Sequence, residues 1–578
     1  MEDRLARVEA RLESLARTIE ELTRRLAALE GVARGETAGE RPAPPAEAAA
    51  ATTGAPTRTA TLLPLLGRVF LVLGGAWLLR ALTDAGTLPL VGGLIAGLAY
   101  GAVWLPLADR AGAAGRRWSA EVHGITASII AFPLVWEATT RFRVLSPAAA
   151  AAVLAIVVGG ALVVAWRRSL ALFAWAATAA CLATAVALLA ATQAITAVAA
   201  LLVALGVATV WLAYARRWFG LSWTTAVVAD AVVAGAVALV TRPGGPPEAY
   251  RDFSTGAAES VALALLVAYL ATFAVRTLLR RRDASVFEAV QTVGVLLVGL
   301  GGAAQVARAT GTGGIALGIA ALLTGAACYL IAEAGAAGPV GRAINYVFYS
   351  TLALVLVLAG TPLVAARGAV AVVWCGLALA GAVLGCRFDR LVMRLHAAAY
   401  LAAAGVVSGL LAFAVRTFVA TAAPPTAGAS VWLALATSVV CYGALVVLAR
   451  CAGTSWHTRL PELAGAVIAA LGIGAALVLA GARVLPGQDG VPDPAHLATV
   501  RTVVLAATAL VLAAAGRRTG RLELVWLVYP VLALGGLKLL GQDVLQGRAA
   551  TLVLSFAAYG AALILAPRLL RRPAPAAE

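Results

Sequence analysis

From Leu62 to Ala566 the chain is a nearly unbroken succession of apolar runs of about twenty residues each, the length at which a helix crosses the hydrocarbon core of a bilayer. That pattern leaves few folds open. In lipid, every backbone N–H and C=O must be satisfied internally, and helices do this within each long apolar run. Of the 578 residues, 62% are hydrophobic and 13% charged, against ~25% charged in ordinary soluble domains. The fold class that follows is all-α: a polytopic transmembrane helical bundle.

Eighteen spans are predicted, at 62–82, 88–108, 121–140, 146–166, 169–191, 194–215, 221–241, 258–280, 286–307, 311–333, 341–361, 363–385, 393–415, 429–449, 460–482, 495–515, 522–541 and 548–566. The arginines test that number. They gather in alternate connections, as Arg116-Arg117, Arg167-Arg168, Arg216-Arg217, Arg280 to Arg282, Arg517-Arg518 and, after the last span, Arg571-Arg572. A miscounted span would scramble this alternation, and cytoplasmic loops are the ones enriched in Lys and Arg. An even number of spans with both termini cytoplasmic is expected, in a bacterial inner membrane. The net charge of +17 is thereby read as topology, and no nucleic-acid partner is implied.

Before the first span, Leu5, Val8, Leu12, Leu15, Ile19, Leu22, Leu26 and Leu29 alternate at spacings of three and four, the a/d signature of a coiled coil. Residues 1–30 are expected to form a cytosolic coiled-coil helix through which the chain makes a homo-oligomer. An amphipathic helix lying on a surface is the alternative. Residues 31–61, rich in Ala and Pro, read as a disordered linker, followed by the transmembrane domain at 62–566 and a cytosolic tail at 567–578. The first span is expected to serve as its own insertion signal.

Two stretches carry a resemblance. The run Leu66-Gly67-Arg68-Val69 through Trp77-Leu78-Leu79-Arg80-Ala81-Leu82-Thr83-Asp84-Ala85-Gly86 is one. The other is Gly535-Gly536-Leu537-Lys538-Leu539-Leu540-Gly541-Gln542-Asp543, with Arg548 and Ser555-Phe556 after it. They resemble the two ends of a bacterial family of predicted membrane proteins of unknown function, and the heptads followed by a Pro/Ala linker are similar to that family too. The resemblance implies a many-helix envelope protein and supplies no activity.

Motifs that would carry chemistry are missing from the sequence. Lys538, the only lysine, is flanked by leucines, so there is no phosphate-binding loop of the G-x-x-x-x-G-K-[ST] type. His123, His396, His457 and His496 fall on separate segments without metal-ligand spacing, and no G-x-S-x-G elbow occurs. The six cysteines lie in or beside apolar runs without C-x-x-C spacing and read as small buried hydrophobes. No cofactor and no metal are implied.

The polar residues inside spans are the candidate sites. Asp230 lies midway along 221–241, where a carboxylate costs at least ~2.5–3.5 kcal/mol on insertion scales. It is expected to face protein or a water-filled cavity, either hydrogen-bonded across helices or marking a proton, cation or substrate path. Arg80 and Asp84 are four apart, which predicts an ion pair on one helix face. Lys538, Asp543 and Arg548 are expected to form one cluster at the outer rim: the helix would end at Gly541-Gln542 so that Asp543 folds back between the two cations. Glu137, Glu288 and Arg501 lie near span ends, where solvation at the interface is expected. Gly93, Gly97 and Gly101 form a close-packing stripe.

Three function classes remain. The first is a non-catalytic envelope scaffold or assembly factor. The second is a transporter or lipid flippase with an intramembrane acidic site, and the third a membrane-embedded enzyme on a lipid-linked substrate.

Overall fold

The computed structural model describes residues 74–75, 77–336, 343–420, 424–448, 456–485, 493–546 and 548–570, together with Glu21. The heptad segment apart from Glu21, the linker, the first part of the span expected at 62–82, and residues 571–578 lie outside the described residues. So does Cys451.

Among the described residues sixteen helices are long and apolar enough to cross a membrane, and a bent pair brings the number to seventeen. No strand occurs among them. The chain is an all-helical, multi-pass membrane protein. Every span predicted from 88–108 onward has its counterpart, and residues 77–84 of the first are helical. The helices are α1 (Leu90–Ala113), α2 (Arg117–Thr140), α3 (Pro147–Arg168), α4 (Ala171–Thr192), α5 (Ile195–Arg216) and α6 (Phe219–Val240). They continue as α7 (Thr255–Leu279), α8 (Val286–Thr310), α9 (Gly314–Gly335), α10 (Ile344–Val364) and α11 (Arg367–Arg387). The bent pair is α12 (Leu391–Val407) and α13 (Leu410–Val419), and α14 (Ala429–Leu448), α15 (Leu460–Val484), α16 (Pro494–Thr519), α17 (Leu522–Asp543) and α18 (Ala549–Leu570) complete the bundle.

Local chemistry sets the helix ends. Ser146 precedes Pro147 and accepts from the Ala149 N–H at 3.2 Å, an N-cap with proline at the first helical position. Ser285 and Glu288 form a capping box at the start of α8, and Asp493 caps α16. The span predicted as continuous over 393–415 is broken instead, with α12 and α13 bent by 63°. Gly409 is the cause. Its φ of 83° lies in the left-handed region that glycine enters without steric cost, and the Ser408 hydroxyl accepts from the Leu410 N–H at 3.3 Å. The last helix runs four residues past the predicted end, to Leu570.

Helices pack through small residues, since apolar side chains gain nothing by leaving lipid for one another. The Gly93-Gly97-Gly101 stripe packs within the chain: a Cβ on Gly97 would stand 2.6 Å from Leu134 of α2, and one on Gly93 2.3 Å from Thr83. In the α9–α10 hairpin, a Cβ on Gly318 would lie 2.9 Å from the Gly360 carbonyl, and the reverse holds. Three larger apolar cores result, one over α1–α10, one over α10–α15 and one formed by α14–α18, with a smaller fourth around Val478, Ala482 and Leu497. Large apolar side chains such as Ile156, Leu297 and Val447 remain 74%, 70% and 79% exposed, the outward face lipid covers.

Candidate intramembrane polar sites

Asp230 sits about halfway along α6 and is half-buried. Both its oxygens accept from the Nε2 of Gln291 on α8, each at 3.0 Å. The approach depends on glycine: a Cβ on Gly294 would stand 3.0 Å from Asp230 Oδ2. Gln291 was not anticipated as a partner. The signal was a second uncharged polar residue inside an apolar run, three residues beyond an acid. Tyr269 of α7 lies close to this pair electrostatically. Its hydroxyl is fully buried, without a hydrogen-bond partner among the described residues.

Three residues before Gln291, on the same face of α8, Glu288 is 0% exposed. Tyr214 of α5 donates to its Oε1 at 2.6 Å, and the Ser285 N–H donates to Oε2 at 2.6 Å. Arg276 lies 2.5 Å from Oε2 and stacks over the Tyr214 ring at 4.4 Å. The expectation of a solvated Glu288 is therefore corrected, because α5 and the end of α7 close over it. The arrangement recurs at the starts of other helices on the Arg-rich end. Glu121 of α2 accepts from the Phe173 N–H of α4 at 2.7 Å. Glu462 of α15 faces Arg394 of α12 at 3.5 Å, and Glu523 of α17 meets Arg459 at 3.0 Å and Arg521 at 3.7 Å. Each acid is buried and lies in the first turns of its helix, where the helix dipole favours negative charge.

At the opposite end of the bundle, Lys538 donates to Asp543 Oδ1, to the Ala498 carbonyl and to Thr502 Oγ1. Thr502 donates to Asp543 Oδ2 at 2.7 Å. Two parts of the sequence expectation are corrected here. The helix does not end at Gly541-Gln542; it continues as a π-helical turn over Leu539–Asp543, whose i→i+5 hydrogen bonding brings residues five apart onto one face. Arg548 does not join: its guanidinium pairs with Asp493 at 3.0 Å. Arg501, expected at a solvated end, is 1% exposed on α16 because α17 and α18 pack across it.

Arg80 and Asp84 approach to 3.8 Å, as part of a quartet. Arg80 Nη1 reaches Glu137 of α2 at 2.9 Å, and Arg141 reaches Asp84 at 3.8 Å. Glu137 is thus ion-paired where interfacial solvation was expected. Two further features went unread in the sequence. Tyr329 bridges His396 and Tyr400 at 3.1 Å each, and Thr209 and Thr225 pair at 2.6 Å between α5 and α6. The cysteines at 181, 328, 375, 386 and 441 are buried and free. No group of three or more His, Cys, Asp or Glu is placed to hold a metal ion among the described residues.

Comparison with protein-family models, with characterised proteins and with solved structures gives no match to this chain.

Proposed function

We propose that this chain is a non-catalytic scaffold or assembly factor of a bacterial inner membrane, with both termini cytoplasmic, that self-associates through residues 1–30. One observation carries the reading: both carboxylate oxygens of Asp230 are held by Gln291 of a neighbouring helix, in a packed core. A carboxylate at mid-span thus joins two helices. Glu288, Glu523 and Asp543 also join segments, through Tyr214, Arg459 and Thr502. The resemblance of the chain's two ends to a family of many-helix envelope proteins supports the membrane location in this proposal and bears on no activity.

The test compares the full chain with one lacking residues 1–30, both extracted with native lipid and weighed by native mass spectrometry. A scaffold gives an oligomer that falls to a single chain on truncation. The same vesicle-reconstituted protein should show no proton or cation flux that Asp230→Asn abolishes; such a flux would overturn the reading. A transport reading has one observation in its favour, the unpartnered Tyr269 hydroxyl near Asp230 at mid-span, because intramembrane acids commonly mark ion paths.

A further inference from the structure

The connection between α7 and α8 carries three successive arginines, Arg280 to Arg282. It is a held loop. Asn345 at the start of α10 donates from Nδ2 to the Arg282 carbonyl at 3.0 Å and accepts at Oδ1 from the Ala284 N–H at 2.8 Å. Arg280 is pinned over the Trp211 ring at 4.4 Å. Between these anchors Arg281 takes a φ of 50°, a left-handed conformation that an L side chain keeps only when its surroundings impose it.

Beneath the loop lies a cavity of about 240 Å³, bounded by the π-helical turn Val275–Leu279, the end of α9 and the start of α10. Arg281, Thr277, Asn345, Tyr346 and Tyr349 supply its polar lining. Thr277 and Tyr349 hydrogen-bond to one another at 2.5 Å. The Arg281 guanidinium has no carboxylate partner among the described residues. Three acids lie nearby: Glu333, exposed and accepting from Tyr346 at 3.2 Å, Asp283, exposed on the loop itself, and the buried Glu288, which is already paired with Arg276. Arg390, over the Tyr346 ring at 5.4 Å, adds another cation. With Glu288 balanced by Arg276, the cations Arg280, Arg281, Arg282 and Arg390 outnumber Glu333 and Asp283.

We propose that this cavity binds a phosphate group, carried by an anionic lipid headgroup or present as free phosphate. A guanidinium presents a planar fork of donors that matches phosphate oxygens in pairs. The hydroxyl protons of Thr277, Tyr346 and Tyr349 go to the Phe273 carbonyl, to Glu333 and to Thr277, so the Arg281 guanidinium is the donor left for the phosphate oxygens. The cavity is smaller than the roughly 300–1,000 Å³ of drug-sized clefts, so it suits a headgroup and not a whole amphiphile. It opens at helix ends on the Arg-rich side, where basic pockets between membrane helices meet lipid headgroups.

The test uses the full chain in detergent and follows its thermal midpoint with three probes: dioleoylphosphatidylglycerol, uncharged dioleoylglycerol and inorganic phosphate. Wild type should be stabilised by a phosphate-bearing probe and not by dioleoylglycerol. Arg281→Gln, at an exposed side chain with no partner, should keep the unliganded midpoint and weaken binding roughly tenfold or more, as loss of a charge-assisted pair does. Arg517→Gln, an exposed arginine on the same side, should leave binding unchanged. A response to the lipid alone assigns a headgroup, and an equal response to inorganic phosphate assigns the free anion. No response to either probe, or equal losses in Arg281→Gln and Arg517→Gln, would overturn the proposal.

Discussion

Lys538 and Asp543 are five residues apart on one unbroken helix and form an ion pair, because the turn between them is π-helical. With Thr502 donating to the second carboxylate oxygen, neither charge is left uncompensated. Asp543→Ala should therefore lower stability by about 3–5 kcal/mol, the usual cost of stranding one member of a buried pair. Adding Lys538→Met should recover part of that loss. Heat-induced unfolding of the purified variants measures both, and strictly additive losses would contradict the pairing.

Arg548 should behave differently. It is exposed and pairs with Asp493 alone, so Arg548→Ala should change stability by no more than about 1 kcal/mol. A loss as large as that of Asp543→Ala would restore Arg548 to the Lys538 cluster.

Asp230→Asn keeps the size and hydrogen-bonding capacity of the side chain but cannot ionise. If the residue serves to join α6 to α8, the variant should reach wild-type abundance and melt close to wild type. Gln291→Leu, which leaves the carboxyl buried without its donor, should cost about 1–3 kcal/mol. The two melting temperatures, read side by side, separate a hydrogen-bonding role from an ionic one.

Much of the bundle was legible in the sequence for a simple reason. Span length, apolar content and arginine placement are imposed by the bilayer on each helix separately, so seventeen of the expected spans could be located without knowing their neighbours. Partnerships are not imposed that way. Nothing in the run around Asp230 names Gln291, which lies 61 residues on. The break at Ser408-Gly409 and the π turn at Leu539–Asp543 follow from a backbone geometry that hydropathy does not register. Glu288 was placed at the interface by its position near a helix end, yet the end of α7 and Tyr214 close over it.

Gly206 and Tyr269 offer a paired test of packing. A Cβ on Gly206 would stand 2.1 Å from the Tyr269 hydroxyl, which is itself unpartnered. Gly206→Ala should cost about 1–3 kcal/mol through overpacking. Tyr269→Phe should be neutral or stabilising alone, and in the double variant should restore most of the loss. Thermal unfolding of the four-member cycle checks this.

Sidedness has its own test. Reporter fusions after Arg572 and within 242–257 should report opposite faces of the membrane, and a shared face would show that a span has been miscounted.

The buried glutamates at helix starts bear on how the chain is made. Tyr214 and Arg276 are synthesised before Glu288, Arg394 before Glu462, and Arg459 64 residues before Glu523. Each of these three acids therefore enters the bilayer when its counter-charge is already there, whereas Glu121 waits 52 residues for its Phe173 partner. Assembly gains a direction from this order. A nascent chain halted after α10 would hold its Glu288 cluster complete, whereas a fragment beginning at Leu460 would insert Glu462 and Glu523 without Arg394 or Arg459, and the quality-control proteases of the membrane would meet it first.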